Sequence, residues 1–216
     1  MFLINPYQFA AAPSNLLTSL VSYWKCDTNG SFPDAHSNTG TINGATYTAS
    51  KINAYDYDVN DYISTADIDL LSAAFSINIW FKHDESSISS RVLIQKTSSN
   101  NAIPYSLSIR NSSLKISLII TSSNFQAFTT TLTQQWYMAT LVRSGTSYKV
   151  FLDDTVTPDI STTSSLSPYN TADTLNIRWA YYKTIDEVGV WDTALTDEQV
   201  ESLYNSSSLS YDSFTT

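Results

Sequence analysis

Apolar and polar residues alternate one for one in run after run of this chain, and a period of two restricts those runs to β-strands with one buried face. Phe75, Ile77, Ile79 and Phe81 point one way while Ser76, Asn78, Trp80 and Lys82 point the other. The pattern returns at Tyr105, Leu107 and Ile109, at Leu114, Ile116 and Leu118, and at Tyr148, Val150 and Leu152. Polar turn clusters (Thr97 to Asn101, Asn111 to Ser113, Ser144 to Thr146) separate these runs. Many short strands at near-regular spacing predict an all-β fold, a two-sheet antiparallel β-sandwich or jelly roll. A chain of 216 residues suits one such domain with arms and can bury a substantial core.

One segment near the C-terminus departs from the period of two. Thr184-Ile185-Asp186-Glu187-Val188-Gly189-Val190-Trp191 reads as a buried strand carrying an acidic pair, followed by a short turn. From Thr196 to Asn205 the sequence reads as the one short helix. Thr196 as N-cap and Gln199 three residues on form a capping box, and Leu195 and Val200 occupy the staple positions around it. Asp197 and Glu198 put negative charge on the first turn, where the helix dipole favours it. Val200, Leu203 and Tyr204 share a face, and Asn205 is the expected stop.

This strand, turn and helix resemble the closing segment of LamG-like jelly-roll domains, members of the concanavalin A-like lectin/glucanase superfamily. Other stretches fall in the family's order. Leu20-Val21-Ser22-Tyr23-Trp24-Lys25-Cys26-Asp27 is similar to its opening strand, and a polar loop from Thr28 to Gly44 follows, with Asp34 and Asn38. Asn60-Asp61-Tyr62-Ile63 resembles its Asn-Asp-Tyr-hydrophobic signature, and Phe75 to Phe81 its central tryptophan strand. Trp136 to Val142 and Tyr148 to Asp153 resemble its late hairpin. The resemblance covers roughly residues 20–205, leaving residues 1–19 as an N-terminal arm and 206–216 as a tail expected to be flexible. Two positions depart from the family: Asp153-Asp154 stands where it has Asp-Gly, and Thr184 where it has glycine.

Composition narrows the partners. A formal charge of −9 and a pI near 4.4 oppose binding to nucleic acid or anionic membrane, both of which need basic patches. Only 14% of residues are charged, and Ser, Thr and Asn take the surface positions instead, as suits an extracellular or particle-borne β-protein. Cys26 is alone, so no intrachain disulfide forms, and its expected place is a small buried position. No Lys or Arg precedes Lys25, and Pro6 and Pro13 interrupt the apolar residues before it, so neither a secretory signal nor a membrane helix is expected there. Asn5-Pro6-Tyr7-Gln8-Phe9-Ala10-Ala11-Ala12 resembles the leading peptide of tailed-bacteriophage proteins that carry such jelly rolls. That resemblance implies a virion surface, with the arm anchored on coat proteins. Any homo-oligomer would be built from sheet edges or arms.

Glycosidase chemistry in this superfamily needs carboxylates at alternate positions of one strand, about 5 Å apart for retention. Asp186 and Glu187 are adjacent and are expected to point to opposite faces, and Asp56, Asp58 and Asp61 read as a loop approaching a strand. His36 and His83 stand apart from any nucleophile elbow or second ligand at metal spacing. The chain therefore reads as non-enzymatic. The family resemblance implies a structural Ca²⁺ where the opening loop meets the Ile-Asp-Glu strand, which carries over to Asp186 with Asp27 and Asp34 as loop ligands. The alternative is that Asp186 bonds backbone amides at the rim and Asp34 is merely exposed. For ligand binding the notable stretch is Arg178-Trp179-Ala180-Tyr181-Tyr182-Lys183, since exposed rings stack on sugars while Arg178 and Asn176 bond hydroxyls. The competing reading turns Trp179 and Tyr181 into the core as strand residues. Two functions remain: a module, Trp179, Tyr181 and Tyr182 its contacts, that binds host-surface polysaccharide, or a structural virion decoration or fibre protein.

Overall fold

The computed structural model describes residues 15–49, 53–57, 61–70, 73–82, 90–96, 105–110, 115–118, 132–133, 135–153, 156–165, 172–178 and 183–207. A helical turn, α1 (Asn15–Thr18), leads into β1 (Leu20–Trp24), β2 (Thr41–Asn43), β3 (Thr46–Ala49), β4 (Asn53–Tyr57) and β5 (Tyr62–Ser64). Then come β6 (Ala74–Lys82), β7 (Ser90–Lys96), β8 (Tyr105–Arg110), β9 (Lys115–Leu118), β10 (Trp136–Ser144) and β11 (Ser147–Leu152). The chain continues through β12 (Ile160–Thr163), β13 (Leu175–Arg178), β14 (Lys183–Trp191) and α2 (Asp197–Ser207).

Two antiparallel sheets result, as the alternation requires. The eight-stranded sheet runs β12-β11-β10-β6-β14-β4-β3 with β1 also on β14, and the six-stranded sheet runs β2-β5-β13-β7-β8-β9. Phe75, Ile77, Ile79 and Phe81 of β6 are all fully buried in the core between the sheets, with Leu107, Ile109, Leu175 and Ile177. Each such side chain contributes about 1.5–3 kcal/mol when taken out of water. The outer side of β6 differs from expectation. Ser76 and Asn78 are also buried, because a second apolar cluster covers that side of the eight-stranded sheet. Asn78 Nδ2 donates to Thr140 Oγ1 at 2.7 Å, across the β6–β10 pairing. Ser76 Oγ donates to the Thr193 carbonyl and accepts the Leu195 amide, both at 2.9 Å, and so fixes the turn that leads into α2.

The second cluster is built on the predicted helix. Thr196 and Gln199 form the capping box reciprocally: Thr196 N donates to Gln199 Oε1 at 2.8 Å, and Gln199 N to Thr196 Oγ1 at 3.2 Å. Leu195, Val200 and Leu203 pack with Tyr23, Met138, Phe151 and Trp191. The helix ends at Ser207, two residues beyond the expected stop at Asn205. A further correction concerns the N-terminus. The helical turn α1 stands alongside the one helix expected, and it lies within the segment read as an arm. Leu16 is fully buried in this cluster and its carbonyl accepts the Trp191 Nε1 proton at 2.9 Å. The fold therefore reaches back at least to Asn15, because the outer cluster needs an apolar cover that β1 alone does not supply. Asp56 and Tyr57, read as part of a loop approaching a strand, belong to the end of β4, while Asp58 lies outside the described residues. Leu114 lies outside the described residues, and so does most of the C-terminal tail. Among the described residues no helix is long and apolar enough to cross a membrane.

Candidate functional site

The acidic pair lies where β14 changes partner. On one edge, Lys183 to Ile185 pair with β4, and Val188 to Trp191 pair with β1. Asp186 and Glu187 fall at the junction, served by neither. On the other edge Asp186 pairs with Trp80 and Gly189 with Asn78, so three steps on β14 match two on β6. One extra residue is present, a β-bulge. Glu187 takes it up with φ +47°, a left-handed conformation that costs a non-glycine residue about 1–2 kcal/mol. Ile185 and Val188 both enter the main core, although three residues apart, only because of this insertion. Adjacent residues were expected to face opposite ways; the bulge instead seals both acids inside the protein.

The two carboxylates are handled differently. Glu187 Oε2 accepts the Tyr23 hydroxyl proton. Asp186 Oδ1 accepts the Glu187 amide at 2.9 Å, while its Oδ2 is buried with no hydrogen-bond partner among the described residues. Burial, reinforced by the charges of Glu187 and Asp27, pushes the Asp186 carboxyl up to about 10. A carboxylic acid in that position is protonated at neutral pH. Cys26, with φ +62°, is buried beside it as expected. Burial and the charges of Asp186, Glu187 and Asp27 drive its thiol well above the usual range, which leaves it unreactive.

Asp34 has another task. Its Oδ1 accepts the Tyr23 amide at 2.5 Å, and its Oδ2 accepts the amides of His36 at 2.9 Å and Asn38 at 2.8 Å. These bonds fold the opening loop onto β1, where Trp24 Nε1 donates to the Asn38 carbonyl at 3.0 Å. Calcium takes six to eight oxygens. The orphaned Asp186 oxygen would suit a cation, yet among the described residues no group of three or more His, Cys, Asp or Glu side chains could hold a metal ion. With Asp34 committed to the loop and Glu187 to Tyr23, the residues present do not fit the calcium site that Asp186, Asp27 and Asp34 were expected to form.

The expected sugar-binding stretch is only partly visible. Trp179, Tyr181 and Tyr182 lie outside the described residues. Asn176 sits on β13, between β5 and β7 in the middle of the six-stranded sheet, and its Nδ2 donates to the Thr174 carbonyl at 3.4 Å. Arg178 ends that strand opposite Tyr62. Tyr23 was not singled out as the partner of the acidic pair. The available signal was the need of a buried carboxylate for a donor on a neighbouring strand.

Residues 57–201 match a protein family described as the concanavalin A-like lectin/glucanases superfamily. In three dimensions the chain is similar to the botulinum neurotoxin serotype D binding domain, with a TM-score of 0.73 at 12% identity over 88% of this chain and 52% of that one. It is similar to the receptor binding domain of a botulinum neurotoxin C/D mosaic serotype, with a TM-score of 0.74 at 12% identity over 89% and 52%. A third likeness is to the Trypanosoma rangeli sialidase, with a TM-score of 0.70 at 14% identity over 93% and 34%. The chain thus spans about half of the toxin domains and about a third of the sialidase. At such identities the likeness is one of fold. No curated protein matches the sequence.

Proposed function

This chain belongs to the concanavalin A-like lectin/glucanase superfamily, and from that premise we propose that it is a non-catalytic module that binds carbohydrate on a host cell surface. Family membership over residues 57–201 carries the reading. The toxin structures that share its fold are a binding domain and a receptor binding domain, of which this chain spans about half, and that company suits a binding module. The sealed acids argue for binding without hydrolysis. A glycosidase places an acid and a nucleophile on either side of the scissile bond, whereas Asp186 is fully buried and Glu187 is 4% exposed.

The setting we propose is display on a tailed-bacteriophage particle, where weak sites gain strength by repetition. The peptide from Asn5 to Ala12 supports it, with residues before α1 contacting coat proteins. A structural decoration role is the second reading. It is favoured by the tie between Trp191 and Leu16, which makes α1 a fixed part of the fold and so a firm base for an anchor. A glycan array probed with the chain in multivalent form tests the first reading. Selective binding is expected, and a blank array from folded protein would leave the structural role.

A further inference from the structure

The outer face of the eight-stranded sheet is covered by α2 over only part of its width, and beside the helix the sheet presents hydroxyls in register. Ser144 pairs with Ser147 and Ser147 with Thr163, so these three side chains form one row across β10, β11 and β12. Two residues along, Val142, Lys149 and Ser161 form the next row on the same face. Adjacent strands lie about 4.8 Å apart, which sets the spacing within each row. The start of α2 stands beside the β10 and β11 members of these rows, Val142, Ser144, Ser147 and Lys149, and with them lines an open cavity of about 360 Å³. That volume lies at the small end of the range of ligand clefts, about 300–1,000 Å³.

The lining has two characters. Val142, Ala194 and Leu195 are apolar, while Ser144, Ser147 and Thr196 bring hydroxyls. Lys149 Nζ bridges both oxygens of Asp197, at 2.7 and 3.0 Å, across the cavity from sheet to helix. A sugar ring has the matching chemistry, with C–H faces for the apolar patch and hydroxyls for the rest. Charge decides which sugar. The Lys149 cation is already taken by Asp197, and Glu198 adds a second carboxylate at the mouth. Hydrogen bonding from its own backbone amide and from Thr196 holds Glu198 below the usual carboxylate range, so its charge persists. The Gln199 amide is occupied by Thr196, so the helix end has one donor fewer to offer an anion.

We propose that this groove between α2 and the β10–β11 hairpin is the carbohydrate site, and that it takes neutral hexose or N-acetylhexosamine residues in preference to acidic sugars. The proposal rests on the glycan-binding reading above. Its test is an array of neutral oligosaccharides and their sialylated counterparts, read with the wild-type chain, Ser144→Tyr and Glu198→Lys. Ser144 and Glu198 are exposed, so the fold should bear both changes, and thermal melting verifies it. Wild type should bind neutral glycans. Ser144→Tyr, which fills the groove, should weaken that binding at least tenfold with an unchanged melt. Glu198→Lys should shift the response toward sialylated glycans. A blank wild-type array overturns the glycan reading and this site together. Neutral binding that survives Ser144→Tyr overturns the groove alone, and a wild type that prefers sialylated glycans overturns the neutral specificity. Should Ser144→Tyr fail to fold, an unchanged neutral-to-sialylated ratio in Glu198→Lys overturns the site.

Discussion

Two acidic pairs on the eight-stranded sheet differ, one closed and one open. In the bulge of β14, Asp186 and Glu187 are buried, one accepting a backbone amide and the other a tyrosine hydroxyl. At the start of α2, Asp197 and Glu198 face a cavity, and a lysine reaches across it. The closed pair is the one that the family resemblance marks, yet solvent and ligand are kept from it. The open pair looked like helix-capping chemistry alone. Burial turns an acid into a structural device, while the same group beside a cavity is free to meet a ligand.

The contrast can be broken most severely from the closed side. Tyr23→Phe removes the hydroxyl that Glu187 accepts, and a buried carboxylate deprived of a donor should cost about 1.5–3 kcal/mol in urea unfolding. Glycan binding should be unchanged. Thr196→Ala removes one arm of the capping box and should cost about 1 kcal/mol. Lys149→Met breaks an ion pair about one-third exposed on each side, so stability should fall by no more than about 1 kcal/mol. Its effect should instead be on binding, because Lys149 lines the cavity.

Asp186→Asn sharpens the comparison through pH. The folded carboxyl is raised to about 10, so the folded state holds a proton that the unfolded chain releases near pH 4. Wild-type stability should therefore decline as pH rises from about 4 toward 10, because the unfolded state binds fewer protons there. Asparagine has no proton to release. Its urea midpoint should exceed that of wild type at pH 7, with the gap closing toward pH 4. The smallest effect belongs to calcium: with no carboxylate cage at Asp186 among the described residues, the melting temperature should be the same in calcium and in chelator.

Much of the sandwich was legible in the sequence because alternation is local. Phe75, Ile77, Ile79 and Phe81 announce a buried face without reference to anything distant, and so do Thr196 and Gln199 for the helix start. What could not be read depends on partners far along the chain. Ser76 and Asn78 look like surface residues until α2, more than 110 residues later, is laid over them. The bulge at Glu187 lies where β14 passes from β4 to β1 along one edge, a change of partner that no local pattern encodes. The cavity needs the hairpin at Ser144 and the helix at Thr196 side by side. Each was visible alone, and their meeting is a matter of tertiary structure.

The most direct measurement is a ¹H–¹⁵N chemical-shift titration of the ¹⁵N-labelled chain with the methyl glycosides of glucose, galactose and N-acetylglucosamine. Perturbed amides at Ser144, Ser147, Thr196 and Glu198, with Asp186 to Val188 silent, is the predicted result. Perturbation centred on the β14 bulge, or none anywhere, would contradict it.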